Sequence, residues 1–490
     1  MARESKSKMR ILATITSWGT ANDRYLSRIV TEYSRMPFDV DIVVTSNIAK
    51  NLGANVEVIR GVPGNDPWSL GFAHKSIFAE RAARYDLFIY SEDDVLITER
   101  NIRAFLRMTE TLPKNEIAGF LRTETDSAGK LYFSDVQYHY HWDAATVRQT
   151  VGHTFAFFTN EHAACYALTH EQLVCAIDSG KFLVKPHQGK YPLPETAATD
   201  PYTQCGFKKM VCVSDLDDFL IPHLPNKYAG KGPLPAEEFY RQLAALTTFG
   251  NNGRPKTTLF PVETNLYHEH FSKSYYEPCQ NLMIELVPVG AQNLLSIGCG
   301  WGSTEHRLME RGIRVKALPI DSVIAATAEA RGVEIVYGDL KTARKKLAGD
   351  RFDCLLISNV LHLVRDPIEF LTPFIELLNP EGCVVASVPN LSWIRIRSRK
   401  ARFPGHHAVP SGYDVSGMHS TNGAVLRGWF RQAGLTPTKT TYEPNEKYNW
   451  IDGLSFGLTK HLFGSRAIVV GVRTAPSDMA SCPEMRNRAD

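Results

Sequence analysis

The sequence predicts an α/β protein of two domains, and three observations carry that expectation. At 490 residues the chain is too long for a single hydrophobic core. Short apolar segments alternate with amphipathic stretches of helix length in two separate regions, one at the start of the chain and one after residue 290. Between them, residues 249–261 are rich in turn formers (Gly250, Asn251, Asn252, Gly253, Pro255). The boundary is therefore expected near residue 262, giving domains at 1–262 and 263–490.

In the first region, apolar strands are expected at 11–16, 40–45, 56–59 and 87–90, with helices at 23–36 and 69–84. Short strands joined by amphipathic helices pack as a parallel sheet with helices on its faces, since a parallel crossover needs a connection of helix length. Residues 119–218 give no comparable period. In the second region strands are expected at 293–297, 313–318, 333–337, 352–358 and 382–388, and helices at 303–311, 322–331 and 367–378. A further helix at 423–433 is ended by Gly434, a residue suited to the left-handed turn that closes helices.

Composition narrows the class of partner. The formal net charge is +3, from 55 Lys and Arg against 52 Asp and Glu, which offers no general attraction for nucleic acid. No apolar run approaches the ~18 residues of a membrane span, although peripheral membrane contact stays open. The basic N-terminus runs into a strand-like segment without the apolar stretch and cleavage site of a secretory signal. Nine cysteines, with no C-x-x-C pair, suggest reduced thiols in a cytoplasmic protein.

The second region carries the sharper motif. Leu294-Leu295-Ser296-Ile297-Gly298-Cys299-Gly300-Trp301-Gly302 is a buried strand that breaks into glycines and enters a helix. Glycines there let the backbone approach a ligand closely at the carboxyl end of a strand, where doubly wound sheets bind cofactors. The spacing G-x-G-x-G differs from the G-x-G-x-x-G of nicotinamide dinucleotide sites. Further landmarks are Tyr275-Tyr276-Glu277 upstream, Gly338-Asp339-Leu340, Phe352-Asp353-Cys354, Ser358-Asn359-Val360-Leu361-His362, Asn379-Pro380-Glu381-Gly382 and His419. Together these resemble class I S-adenosylmethionine-dependent methyltransferases, Rossmann-like in fold, of the kind found in polysaccharide and small-molecule biosynthesis.

The resemblance implies that Gly298, Cys299, Gly300 and Gly302 face the methionine part of S-adenosylmethionine. It further implies that Asp339 and Leu340 lie by the adenine and that Ser358 and Asn359 line the cofactor and acceptor pocket. Asp339 is equally suited to cap a helix. The sequence departs from the family at Ser296 and Pro319, where acids are usual, the second holding the ribose hydroxyls. Asp321 either reaches the ribose or caps the helix beginning at Ser322. His362 and His419 are the candidate bases for a hydroxyl acceptor.

In the first region Leu87-Phe88-Ile89-Tyr90-Ser91-Glu92-Asp93-Asp94 is an apolar strand ending in three acids. Carboxylates crowded at a strand end call for a cation or for hydrogen-bond donors, and Mg or Mn supplies the first. The acids resemble the Asp-x-Asp region of GT-A glycosyltransferases, Rossmann-like nucleotide-sugar enzymes, and residues 11–17 resemble their first strand. That resemblance implies a metal held by Glu92, Asp93, Asp94 and a late His223, with residues 66–75 near the nucleotide-sugar donor. Glu195 and Asp200, in a Pro-rich loop, are the candidate catalytic acids. His139, His141, Trp142, Asp143 and His153 form an aromatic and polar cluster suited to structure or to a sugar ring.

The resulting expectation is a bifunctional transferase acting on a glycan or glycoconjugate. The alternative is a single-activity enzyme whose methyltransferase-like domain serves as a degenerate binding or scaffold module.

Overall fold

The apolar alternation of the first region becomes a five-stranded sheet. The structure, a computed structural model, describes residues 8–64, 66–231, 234–251, 256–266, 269–392, 412–444 and 459–473. Strands β1 (Arg10–Ser17), β2 (Asp39–Ser46), β3 (Val56–Arg60) and β4 (Leu87–Glu92) lie parallel in the order 4-1-2-3. Ile11, Leu12, Ala13 and Ile15 of β1 are inaccessible to solvent, because helices cover both faces of a parallel sheet. The helix expected at 69–84 is split. Pro67–Phe72 is a 3-10 turn whose start is capped by the Asp66 side chain, and the α-helix runs over Ala73–Arg81.

Residues 119–218 had no readable period because their strands are short and mostly antiparallel. Chain order gives β5 (Glu116–Ala118), β6 (Leu121–Thr125), β7 (Leu131–Phe133), β8 (Trp142–Thr150), β9 (His153–Phe158) and β10 (Cys165–Thr169). β11 (Lys208–Cys212), β12 (Leu220–Pro222) and β13 (Leu234–Pro235) follow. β10 joins the main sheet antiparallel to β4, while the others form two four-stranded sheets, β5-β11-β9-β8 and β12-β6-β7-β13. The expected Pro-rich loop is in fact a helix, Leu193–Thr203, with Pro194 in its first turn, where a missing N–H costs little.

The second unit holds a seven-stranded sheet. Its strands are β14 (Asn293–Cys299), β15 (Arg314–Pro319), β16 (Glu334–Ile335), β17 (Phe352–Ser358), β18 (Leu378–Pro389), β19 (Leu435–Tyr442) and β20 (Arg466–Arg473). The order is β16-β15-β14-β17-β18-β20-β19. β20 is the reversed member, antiparallel to both of its neighbours. Only two residues of the strand expected at 333–337 pair with β15, as suits a short sheet edge. β14 has β15 on one side and β17 on the other, so the chain turns opposite ways at its carboxyl end and opens a crevice there.

The chain divides into compact units at Met1–Gly253 and Arg254–Asp490, earlier than the expected boundary near 262. The reason lies in the main chain: Leu259 N–H donates to Ile320 O at 2.8 Å and Thr257 N–H to Ser322 Oγ at 3.0 Å, which ties this segment to the second unit. Among the described residues no helix is long and apolar enough to cross a membrane. The eight described cysteines form no disulfide.

Candidate functional site

The glycine loop of the second unit is held by its own lead-in segment. Trp301 N–H donates to Tyr275 O at 3.0 Å, while Trp301 Nε1–H and Ser303 Oγ–H donate to Glu277 O at 2.5 and 2.7 Å. Gly300 lies so near this segment that a Cβ there would stand 2.2 Å from Tyr275 O. Gly302 has φ +80° and leads into the helix Ser303–Glu310, so a side chain is excluded there by conformation as well as by Ala328. Gly298, Cys299, Gly300 and Gly302 line one cleft with Ser358.

Glu277 organises the mouth of that cleft. Its carboxylate pairs with Lys273, accepts from Asn359 Nδ2 at 3.0 Å and Ser358 Oγ at 3.1 Å, and lies 3.9 Å from Arg466. Burial pushes the Glu277 carboxyl up, but the Lys273 and Arg466 charges outweigh it and hold it below the usual carboxylate range. Lys273 Nζ also donates to Ser358 O at 2.8 Å. Sequence reasoning quoted Glu277 in the lead-in without giving it a role, and it passed over Lys273.

Ser296 meets an acid from the following helix. Ser296 Oγ–H donates to Glu305 Oε1 at 2.6 Å inside the same cleft, and burial raises the Glu305 carboxyl above its ordinary value. Asp321 caps a helix through one of its two oxygens. Its Oδ1 accepts from Val323 N–H at 2.7 Å and Ile324 N–H at 2.9 Å, capping the helix Ser322–Ala330. Asp339 is an exposed cap of the helix that starts at Leu340, accepting from Thr342 N–H at 2.7 Å.

The two candidate bases are joined through the main chain, His419 N–H donating to His362 O at 2.8 Å. His362 is fully buried and its Nε2–H donates to Phe271 O at 2.8 Å. Its Nδ1 is therefore left as an acceptor, and it has no hydrogen-bond partner among the described residues. Burial lowers the His362 pKa to about 4, so the ring is neutral near pH 7. His419 Nε2–H is spent on Val364 O and Arg365 O at 3.0 and 3.1 Å, and its ring packs on Tyr413 and Trp429.

In the first unit Asp93 and Asp94 share a donor, Asn22 Nδ2, at 2.7 and 3.3 Å. Asp93 also accepts from Ser17 Oγ at 2.5 Å. Asp94 Oδ2 meets His223 Nε2 at 3.3 Å, and the other His223 nitrogen is held by the buried Glu124. This carboxylate–histidine relay fixes the ring with Nε2 toward Asp94. Asp94 Oδ1 is buried with no hydrogen-bond partner among the described residues. Burial raises Asp94, yet the His223 hydrogen bond and charge bring it below its ordinary value. Glu92 is pushed up to about 8 by burial and by the Asp94 charge, with Arg122 opposing.

Glu195 and Asp200 part company. Five residues on one helix turn about 500°, so the two side chains leave on different faces. Glu195 lies within electrostatic reach of Glu92 and Arg122, and burial raises its carboxyl. Asp200 is fully buried in an ion pair with Lys75, which lies in the segment expected near the donor. Trp142 is core, packed on Phe158 and Phe239, and offers no face to a sugar. His153 Nδ1, Cys212 Sγ and Asp215 Oδ2 gather within 4.8 Å of one another, but His153, Ser214 and Cys212 all direct hydrogen bonds at that one oxygen, which satisfies it without a metal.

Residues 249–440 match the family model described as a methyltransferase domain. Among curated relatives, a ubiquinone biosynthesis O-methyltransferase of Cereibacter sphaeroides is 34% identical over 108 residues, covering 21% of this chain and 44% of that protein. An uncharacterized methyltransferase of Mycobacterium tuberculosis is 31% identical over 105 residues, covering 21% of this chain and 52% of that protein. The chain thus spans about half or less of the length of these relatives. Among solved structures, a methyltransferase of Mesorhizobium loti described as S-adenosylmethionine dependent is 21% identical, with a TM-score of 0.29, covering 39% of this chain and 96% of that one.

Proposed function

We propose that the chain is a bifunctional transferase of glycan or glycoconjugate assembly, adding a sugar from a nucleotide-sugar through its first unit and a methyl group from S-adenosylmethionine through its second. The observation that carries the methyl-transfer reading is the glycine loop at the carboxyl end of β14, tied to Tyr275 and Glu277 and facing Ser358 across one cleft. The cofactor supplies a sulfonium-activated methyl group. Within the chain, Lys273 and Glu277 hold the lead-in segment against Ser358, and the neutral His362, whose Nδ1 has no partner among the described residues, would be the group to take up a hydroxyl proton. That several relatives are O-methyltransferases by name fits an oxygen acceptor. A cytoplasmic setting fits the unpaired cysteines.

In the first unit, Asp94 and His223 would hold a divalent cation, since one buried Asp94 oxygen has no partner and Glu124 has fixed the His223 ring. Such an ion neutralises the diphosphate of a leaving nucleotide. Glu195, near Arg122 and kept toward neutrality by burial, is the candidate that exchanges a proton with the acceptor. Exposed Trp18 follows directly on Ser17, the residue that binds Asp93, and offers an aromatic face near the acids.

A second reading, in which the methyltransferase-like unit is a binding module, is favoured by one observation. The residue at 319 is a proline, which cannot accept hydrogen bonds from ribose hydroxyls through a side chain. Titration calorimetry of the full chain with S-adenosylhomocysteine and S-adenosylmethionine decides between them. Binding followed by methylation of an acceptor is expected, whereas binding without turnover on any glycan acceptor leaves only the module. For the first unit, D94N is expected to abolish Mn-dependent hydrolysis of nucleotide-sugars, and unchanged hydrolysis refutes the metal assignment.

A further inference from the structure

We infer that Glu305 is the group that recognises the amino-acid ammonium of the cofactor, supplied from the helix after the glycine loop in place of an acid on the strand. The inference rests on the methyl-transfer reading above and adds a specificity-determining residue to it. Three observations carry it.

The first is position. Glu305 lies in the first turn of the helix Ser303–Glu310 and lines the same cleft as Gly298, Gly300 and Gly302. Its carboxyl is buried and anchored by Ser296 Oγ at 2.6 Å, so a hydroxyl on β14 orients a carboxylate that β14 itself does not carry. The second is charge. The cleft is lined by two acids, Glu277 and Glu305, and by one base, Lys273. Lys273 is bound to Glu277 and to Ser358 O, and Arg466 also approaches Glu277. Glu305 has no ion pair among the described residues. A buried carboxylate without a cation is costly, and a ligand ammonium removes that cost. The third is desolvation: burial raises the Glu305 carboxyl above its ordinary value, with Ser296 opposing, so its charged form gains from a ligand cation.

A ligand with an ammonium on its amino-acid arm therefore gains from Glu305, and one without that arm does not. S-adenosylhomocysteine carries the arm, while 5′-methylthioadenosine has the same nucleoside and thioether without it. The test is calorimetric titration of the full chain with both compounds. E305Q is expected to weaken S-adenosylhomocysteine about ten- to a hundredfold, the range for a charge-assisted hydrogen bond, and to leave methylthioadenosine within about threefold. Equal weakening of both compounds, or of neither, overturns the inference. Should E305Q not fold, the exchange S296E/E305S keeps one hydroxyl and one carboxyl at the pair. It is expected to preserve the preference for S-adenosylhomocysteine, and loss of the preference overturns the inference. If wild type prefers S-adenosylhomocysteine yet E305Q does too, Glu305 is excused and the cofactor reading stands. If wild type binds neither compound, the cofactor reading falls and takes this inference with it.

Discussion

Replacing Asp200 by Asn is expected to weaken the first unit while sparing its chemistry. The Asp200 side chain is 0% exposed and its Lys75 partner 3%. The Lys75 ammonium also sits 4.5 Å from the centre of the Phe72 ring, so it has little water to fall back on. Removing one member of a buried pair strands the other charge and costs about 3–5 kcal/mol. Asn retains the shape and one acceptor, which places the variant near the lower end, about 3 kcal/mol. A unit of about 250 residues loses roughly 2–4 °C per kcal/mol, so its melting point should fall by about 6–12 °C. The assay is thermal unfolding of the full chain with and without S-adenosylhomocysteine, which assigns the ligand-insensitive transition to the first unit. The double variant K75M/D200L, which removes both charges together, should recover most of the loss. The reasoning is refuted if D200N melts like wild type and yet loses nucleotide-sugar hydrolysis below its melting point. Asp200 would then be the catalytic acid, and the ion pair incidental.

Three other outcomes are expected. G300A forces a methyl group toward Tyr275 O, and calorimetry should show S-adenosylhomocysteine affinity reduced more than about tenfold, with about 1–3 kcal/mol of stability lost; near-native binding would show that the lead-in segment is free to move. His362 has its pKa lowered from 6.5 to about 4, so below 6.5 the unfolded chain binds a proton that the folded one refuses. The second unit should therefore lose stability as pH falls from 6.5 toward 4, and denaturant midpoints for H362N should show less of that slope; identical slopes discard the buried neutral ring. E277Q leaves the Lys273 side chain, 1% exposed, without its charge partner, and should lower the second unit's stability by about 3 kcal/mol in denaturant titrations; an unchanged midpoint would mean that Arg466 and Asn359 do not depend on it.

Much of the scaffold was legible in the sequence, for a physical reason. Strands buried on both faces, such as β1, β4, β14 and β17, must be continuous apolar runs, and their connecting helices must be amphipathic. The strands between Glu116 and Pro222 carry no such mark, since most have five residues or fewer in which to show a period and the longest, β8, is broken by a register shift between Asp143 and Arg148. The glycine loop was legible because close backbone approach admits few other residues. Glu305 was not, because a Glu in a helix's first turn is also what the helix dipole favours, so its inward direction leaves no trace in the sequence. Lys75 and Asp200 lie 125 positions apart, and only the folded chain brings them together. Asp321 was read two ways, as ribose ligand or helix cap, and its Oδ1 makes the cap. The Pro-rich run around Glu195 was misjudged as a loop because its prolines fall where a helix tolerates or absorbs them.

The reversed strand β20 gives the second unit a particular order of assembly. It lies between β18 and β19 and bonds to both, yet it leaves the ribosome after each of them. Until residue 473 has emerged, β18 and β19 are two open edges separated by the width of a strand, each able to pair with another chain. The first unit has its sheets complete by residue 235 and can fold during synthesis, so the nascent molecule spends an interval with one half finished and the other waiting for its last strand. A ribosome that stalls in that interval releases a product primed to aggregate, and one that finishes seals both edges at once.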